Sequence, residues 1–194
     1  MGRPFRCQTR LSLSDLDRQV YFERNVVLAQ SPDEPDEHAL LRFLAHLVVP
    51  DEQLEDAAGW MDDHQPDAHA HDLVGALTRW VECGTPPIKR LVKALGRHKD
   101  AQFHALFVEE AEARAFLHEL RAQRPRNLER LELILIPEPI MAALERVGSR
   151  SMTWTATVSD GELYLDCDGT TMSGRVRRLV AGHARVFNEV PAHA

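Results

Sequence analysis

Asp67 and Glu82 fall in two short segments, Pro66 to Asp72 and Leu77 to Cys83, which are read as neighbouring strands. Two carboxylates brought together in this way are the least that a protein offers a divalent cation. Magnesium is a hard ion that takes oxygen ligands and keeps several waters. Held there, it would activate a water and steady charge on the leaving oxygen of a phosphodiester. Glu37, on the segment ahead, is a third acid within the same frame. The plain alternative is an ion pair between Glu82 and Lys93 that pins a helix to a strand, with Arg90 capping acids on the helix that starts near Asp36. A buried pair of that kind adds little net stability but can fix register.

A second cluster is His64, His69 and His71, beside Asp62, Asp63, Asp67 and Asp72. His69 and His71 are two apart and share a face on a strand. Imidazoles with carboxylates suit zinc, nickel or manganese; a solvated histidine-rich edge is the competing reading. Cations gather at Arg121, Arg124, Arg126 and Arg130, and again at Arg175, Arg177 and Arg178. Either group could contact phosphates. Each also borders the end of an element, where cations are ordinarily favoured.

The elements that must position these residues follow from periodicity. Phe5, Cys7, Thr9, Leu11 and Leu13 alternate as in a half-buried strand, and Arg18 to Gln30 forms its hairpin partner. A helix runs from about Asp36 to Val49 with Leu40, Leu41, Leu44, Leu47 and Val48 on its apolar face. Pro50 to His64 is read as a short helix and loops. The segments 87–98, 109–123 and 138–147 are read as helices, and 101–108 and 131–136 as strands. Asp160-Gly161 joins 151–158 to 162–166 as a hairpin. The alternation predicts an α/β domain with a mixed sheet flanked by helices, spanning residues 1–180 with a loose tail over 181–194.

The chain has 194 residues, 44% hydrophobic and 27% charged, as expected of a globular domain that buries a core without staples. Its formal charge of −7 repels phosphate backbones, so nucleic-acid binding needs a local basic patch. Cys7, Cys83 and Cys167 are scattered and odd in number, which fits neither a disulfide framework nor a zinc motif. No apolar run reaches the length of a membrane span. A cytoplasmic protein with no membrane partner is expected.

Several stretches resemble the YaeQ family. They are Ser14-Asp15-Leu16-Asp17-Arg18; Leu28 to Glu37, followed by Leu41-Arg42; Gln65-Pro66-Asp67; Asp72-Leu73-Val74-Gly75; Trp80-Val81-Glu82-Cys83-Gly84-Thr85-Pro86 with Lys89 to Ala94; and Arg150 to Trp154 with Asp160-Gly161. Pro35 and His38 stand where the family pattern has a threonine and an arginine. The resemblance implies a variant of the restriction-endonuclease-like fold of the PD-(D/E)XK nucleases. In active members of that superfamily an Asp and a Glu on adjacent strands hold the metal, and a lysine positions water. Carried over, Asp67 and Glu82 are the ligands, and Lys93 or Lys89 reaches in from the following helix. Gln65, Thr78, Arg90 and Arg42 are then binding residues around the site; Trp80, on the strand between Arg79 and Glu82, is read first as core, with a place in the binding cleft as the alternative. Gln65 and Thr78 stand where the family often has carboxylates, and neutral groups bring no charge to offset the dehydration of a metal.

Two functions stay open. One is a non-catalytic nucleic-acid- or protein-binding member. The other is a divalent-metal-dependent nuclease or phosphodiesterase, with Mg2+ or Mn2+ as cofactor if it is active and none otherwise.

Overall fold

The N-terminal alternation folds as a hairpin, and that hairpin organises half the molecule. In the computed structural model, which describes residues 6–57, 65–144 and 151–183, β1 (Arg6–Asp15) and β2 (Val20–Ala29) pair antiparallel from Arg6↔Ala29 to Asp15↔Val20. The buried Asp15 closes the turn, accepting the Arg18 N–H at 2.9 Å and its guanidinium at 3.0 Å. Leu11, Leu13 and Leu28 point inward and are buried.

The sequence predicts one mixed sheet; the chain forms two. β8 (Ser151–Ser159) lies parallel to β1, from Gln8↔Ser151 to Asp15↔Val158. It is followed by β9 (Glu162–Cys167) and β10 (Thr170–Arg175), in the order β10-β9-β8-β1-β2. The hairpin at Asp160-Gly161 is present, with both residues at positive φ. The second sheet holds β3 (Glu55–Asp56), β4 (Ala68–His71), β5 (Leu77–Cys83), β6 (Gln102–Phe107), β7 (Leu131–Leu135) and β11 (Arg177–Val180), in the order β11-β7-β6-β5-β4-β3. β5, β6 and β7 are parallel neighbours, linked by α2 (Ile88–Arg97) and α3 (Glu110–Ala122). β10 and β11 are not expected from the sequence: β10 is largely exposed, as an outer strand is, and β11 is only four residues long. Within residues 50–57 the chain forms β3 rather than a helix; residues 58–64 lie outside the description.

α1 (Asp36–Val48) is buried from Leu41 to Val48 without a break. It and α4 (Glu138–Leu144) share one core with both sheets, while α2 and α3 build a second core on the far face of the β5–β6–β7 sheet. The apolar stripe read from the sequence is thus only part of the buried surface of α1. A helix packed all round carries its polar residues inward, and Arg42 and His46 are both buried. The tail expected to be loose from residue 181 is held at its start. Ala181 is buried and donates to Leu131 O at 2.8 Å, and Arg121 donates to the carbonyls of Ala181 and His183.

Candidate functional site

β4 and β5 pair antiparallel, with Ala68 opposite Val81, so Asp67 and Glu82 lie at adjoining positions at the end of the ladder. Their carboxylates nevertheless turn to different partners. Glu82 is fully buried and accepts the Trp80 indole N–H at 2.8 Å. Its other oxygen takes the guanidinium of Arg90 on α2. Asp67 faces α1 instead: Oδ1 lies 3.3 Å from His38 Nε2, and Oδ2 accepts the Cys83 N–H at 2.7 Å. The two acids are therefore held from the two sides of the sheet. Burial and the charge of Asp67 push the Glu82 carboxyl up to about 8, against the pull of Arg90 and Trp80.

Lys93 does not meet Glu82 as an ion-pair partner; Arg90 takes that place. The reason is helical phase. Leu91, Ala94 and Leu95 face the core with Arg90 beside them, whereas Lys89, Lys93 and Arg97 recur every fourth residue along the exposed side. Arg90 accordingly does not cap the acids of α1. Glu37 is exposed on the first turn of α1, Gln65 is exposed, and Thr78 donates to Ala70 O at 3.1 Å. A cation shared by Asp67 and Glu82 would have to displace His38 and Arg90, so the oxygens as arranged do not fit that group.

The outward face of α2 borders a cavity of about 450 Å³ lined by Lys89, Arg90, Lys93, Arg97 and His98, with the buried Trp80 behind them. Small-molecule and cofactor sites commonly fall in the range of ~300–1,000 Å³. The rings of Trp80 and His98 lie 5.9 Å apart. α2 contains no acidic residue. The His98 imidazole is held below its ordinary value by burial and then by the charges of Arg97, His71 and Arg130. This is a local basic patch on a chain of net charge −7.

A second polar array, which no motif of the sequence marks, runs along α1. Glu34, His38, Arg42 and His46 recur every fourth residue and form one stripe along α1 and the turn before it. His38 Nδ1 lies 2.7 Å from Glu34 Oε1. Arg42 reaches Glu34 at 3.0 and 3.1 Å, the Ala29 carbonyl at 2.5 Å, and Asp56. His46 Nε2 lies 2.9 Å from Asp56 Oδ1, and its Nδ1 meets Arg24 of β2. A cavity of about 180 Å³ opens over Glu34, His38, Arg42, Asp56 and Asp67. Burial works against the charge on Glu34, but bonds from His38 and Arg42 outweigh it and hold the carboxyl at about 2. Burial likewise opposes the His38 imidazolium, yet Asp67 and Glu34 lift it to about 9. The i, i+4 recurrence was the signal that could have revealed the array. Arg42, read as a binding residue, is an internal counter-charge.

The other clusters serve the fold. Arg130 donates to the carbonyls of Leu95, His98 and Ala101, tying off the end of α2. Arg178 bonds Glu132 at 2.9 Å and the Val48 carbonyl, and Arg177 bonds Glu110 at 2.6 Å. His69 and His71 meet edge to face with centroids 5.0 Å apart, while His64 lies outside the described residues. Among the described residues no group of three or more His, Cys, Asp or Glu is arranged to hold a metal ion. Cys83 and Cys167 are buried, and the Cys167 thiol donates to Met152 Sδ at 3.8 Å. Also among the described residues, no helix is long and apolar enough to cross a membrane.

Comparison with known proteins agrees with this architecture. The family model described as YaeQ protein matches residues 4–176. The uncharacterized protein YaeQ of Escherichia coli (strain K12) is 27% identical over 158 residues, covering 81% of this chain and 86% of that one. Its Salmonella typhi counterpart is 27% identical over 155 residues, covering 80% and 84%. The crystal structure of YaeQ protein from Xanthomonas axonopodis pv. citri superposes with a TM-score of 0.77 at 24% identity, covering 90% of this chain and 97% of that one. The Pseudomonas syringae YaeQ structure gives 0.75 at 23% identity, covering 90% and 95%.

Proposed function

Since the chain belongs to the YaeQ family, we propose that it is a non-catalytic nucleic-acid-binding member whose phosphate contacts lie on the outer face of α2. The observation that carries this reading is the exposed row of Lys89, Lys93 and Arg97 along the cavity on α2. Three cations on one helix face, with no acid among them, create a local positive field on an acidic molecule. The carboxylates support the non-catalytic part, because Glu82 is engaged by Arg90 and Asp67 by His38.

The binding test is a fluorescence-anisotropy titration of labelled single-stranded DNA and RNA over a range of KCl concentrations. Each phosphate contact contributes a slope of about −0.7 to log K against log salt on a single strand, so about −2 is expected for three. Reversing the charges in Lys89→Glu/Lys93→Glu/Arg97→Glu should flatten that slope and weaken binding at least about tenfold. Binding that is independent of salt, or unchanged in the triple variant, sinks the reading.

The family's likeness to the PD-(D/E)XK nucleases motivates a second reading, a metal-dependent phosphodiesterase. It is favoured by the closeness of Asp67 to Glu82, close enough that the charge of one raises the other. Incubation of DNA and RNA with the protein and Mg2+ or Mn2+ decides between them. Cleavage that disappears in Glu82→Ala would overturn the binding-only reading.

A further inference from the structure

The cations of α2 gather toward one end of its cavity. Lys89, Arg90 and Lys93 lie within one turn of the helix, and Arg97 stands a further turn along. From Lys89 to Arg97 the row extends about 12 Å, at ~1.5 Å per residue. Arg90 brings its charge to this end with its guanidinium bonded to Glu82. α1, α3 and α4 begin with acids, whereas the first turn of α2 holds none and carries Lys89 and Arg90 instead. Cations are ordinarily disfavoured at that end of a helix, so an anion held in the cavity relieves their repulsion. Trp80 is buried behind these side chains, so the cavity offers charge and not a stacking surface.

The basic row does not continue beyond Pro87. Thr85, two residues before it, donates its hydroxyl to Glu112 of α3. Two residues span at most ~7 Å, so a carboxylate lies close to the wall that Pro87 gives the cavity. Glu110 and Glu112 make the first turn of α3 acidic. At the far end, Arg130 is engaged by the carbonyls of Leu95, His98 and Ala101. The positive field is thus a short pocket, with an acid beside the end where the cations are densest, and not a track.

We propose, resting on the binding reading of the α2 face, that this cavity holds the terminal phosphate of a nucleic-acid strand and that Glu112 turns away a strand that continues past it. A phosphomonoester carries about −1.5 to −2 charges near neutral pH and offers three strong acceptor oxygens. An internal phosphodiester carries a single charge. Three cations within one turn therefore favour the end group over an internal link. An internal phosphate at Lys89 and Lys93 would also send its chain on beyond Pro87, toward the Glu112 carboxylate; a terminal one needs no such exit. A free mononucleotide carries the same group. The strand is favoured because Arg97 lies a turn beyond Lys93, where a following phosphate meets it.

The test is an anisotropy titration of the full chain with one labelled single-stranded sequence in different forms: linear with a 5′-phosphate, linear with a 3′-phosphate, linear with hydroxyl ends, and a closed circle. At least one phosphorylated form should bind about tenfold more tightly than the hydroxyl-ended strand and the circle. Glu112→Lys should bring the circle to within about threefold of the phosphorylated strand. Equal affinity of the wild type for every form overturns the proposal; if that binding still depends on salt and on Lys89 and Lys93, the α2 reading stands. A preference left intact by Glu112→Lys overturns the role given to that acid. Displacement of the phosphorylated strand by 5′-AMP at the strand's own affinity makes a free mononucleotide the ligand and overturns the strand-end assignment. Absence of binding to every form removes both readings.

Discussion

His38 joins Glu34 to Asp67, and through Glu34 and Arg42 it connects α1 to both sheets. Removing one member of a buried charge array leaves the others without compensation, at a cost of about 3–5 kcal/mol. His38→Ala should therefore lose about 3 kcal/mol in urea unfolding at pH 7. Because its folded value is raised to about 9, the contribution of His38 is complete below the ordinary histidine range near ~6.5 and fades as pH rises through 9. The wild type should lose stability across that window, and His38→Ala should lose less. Glu82 has an acid's version of the same sign. Raised to about 8, it keeps a proton that the unfolded chain has already released, so stability falls between about 4.5 and 8. Glu82→Gln keeps an acceptor for Trp80 and removes that slope. It should match the wild type near pH 5 and exceed it by about 1–3 kcal/mol at pH 9, measured by denaturant unfolding.

At the scale of elements, strands and helices were legible where period and burial agree. β1, β2, β6 and β7 fell where the alternation or the apolar run placed them. α1 was found but misjudged, since its leucines mark one stripe while both sheets cover the rest. The partners of Arg42 and His46 come from Ala29, Asp56 and Arg24 on three other segments, which no local pattern displays. For the same reason Asp67 and Glu82 could be placed side by side from the sequence, but not the direction of either carboxylate. Leu44, fully buried in α1, touches this shared core, and Leu44→Ala should cost about 2–5 kcal/mol. Gly174 on β10 is a sharper probe. A Cβ there would sit 2.6 Å from Pro137 Cγ and 2.8 Å from its Cβ, at the start of α4. Pro137 is a rigid ring at a helix entrance, so Gly174→Ala should separate β10 from α4 and lower the thermal midpoint by several degrees, at about 1–3 kcal/mol.

For the whole molecule, charge is divided unevenly. The chain carries −7 overall, yet α2 is purely cationic and Arg130, bonded to its last turn, adds to that side. A patch of this kind acts over roughly a Debye length, ~8 Å at physiological salt. Association with nucleic acid should thus slow steeply as salt rises, while urea stability of the free protein changes little; stopped-flow anisotropy and equilibrium unfolding check the two halves.

The parallel alignment of β8 along β1 couples residues near the two ends of the chain. As the polypeptide leaves the ribosome, β1 and β2 emerge long before β8 and must wait for Ser151 and beyond before their sheet can be completed. Until then one edge of β1 has no neighbour, and α1 lacks part of the wall that should enclose it. The nascent protein therefore carries an open strand edge for most of its synthesis, the condition under which a holding chaperone is most useful and a stop codon ahead of β8 most damaging.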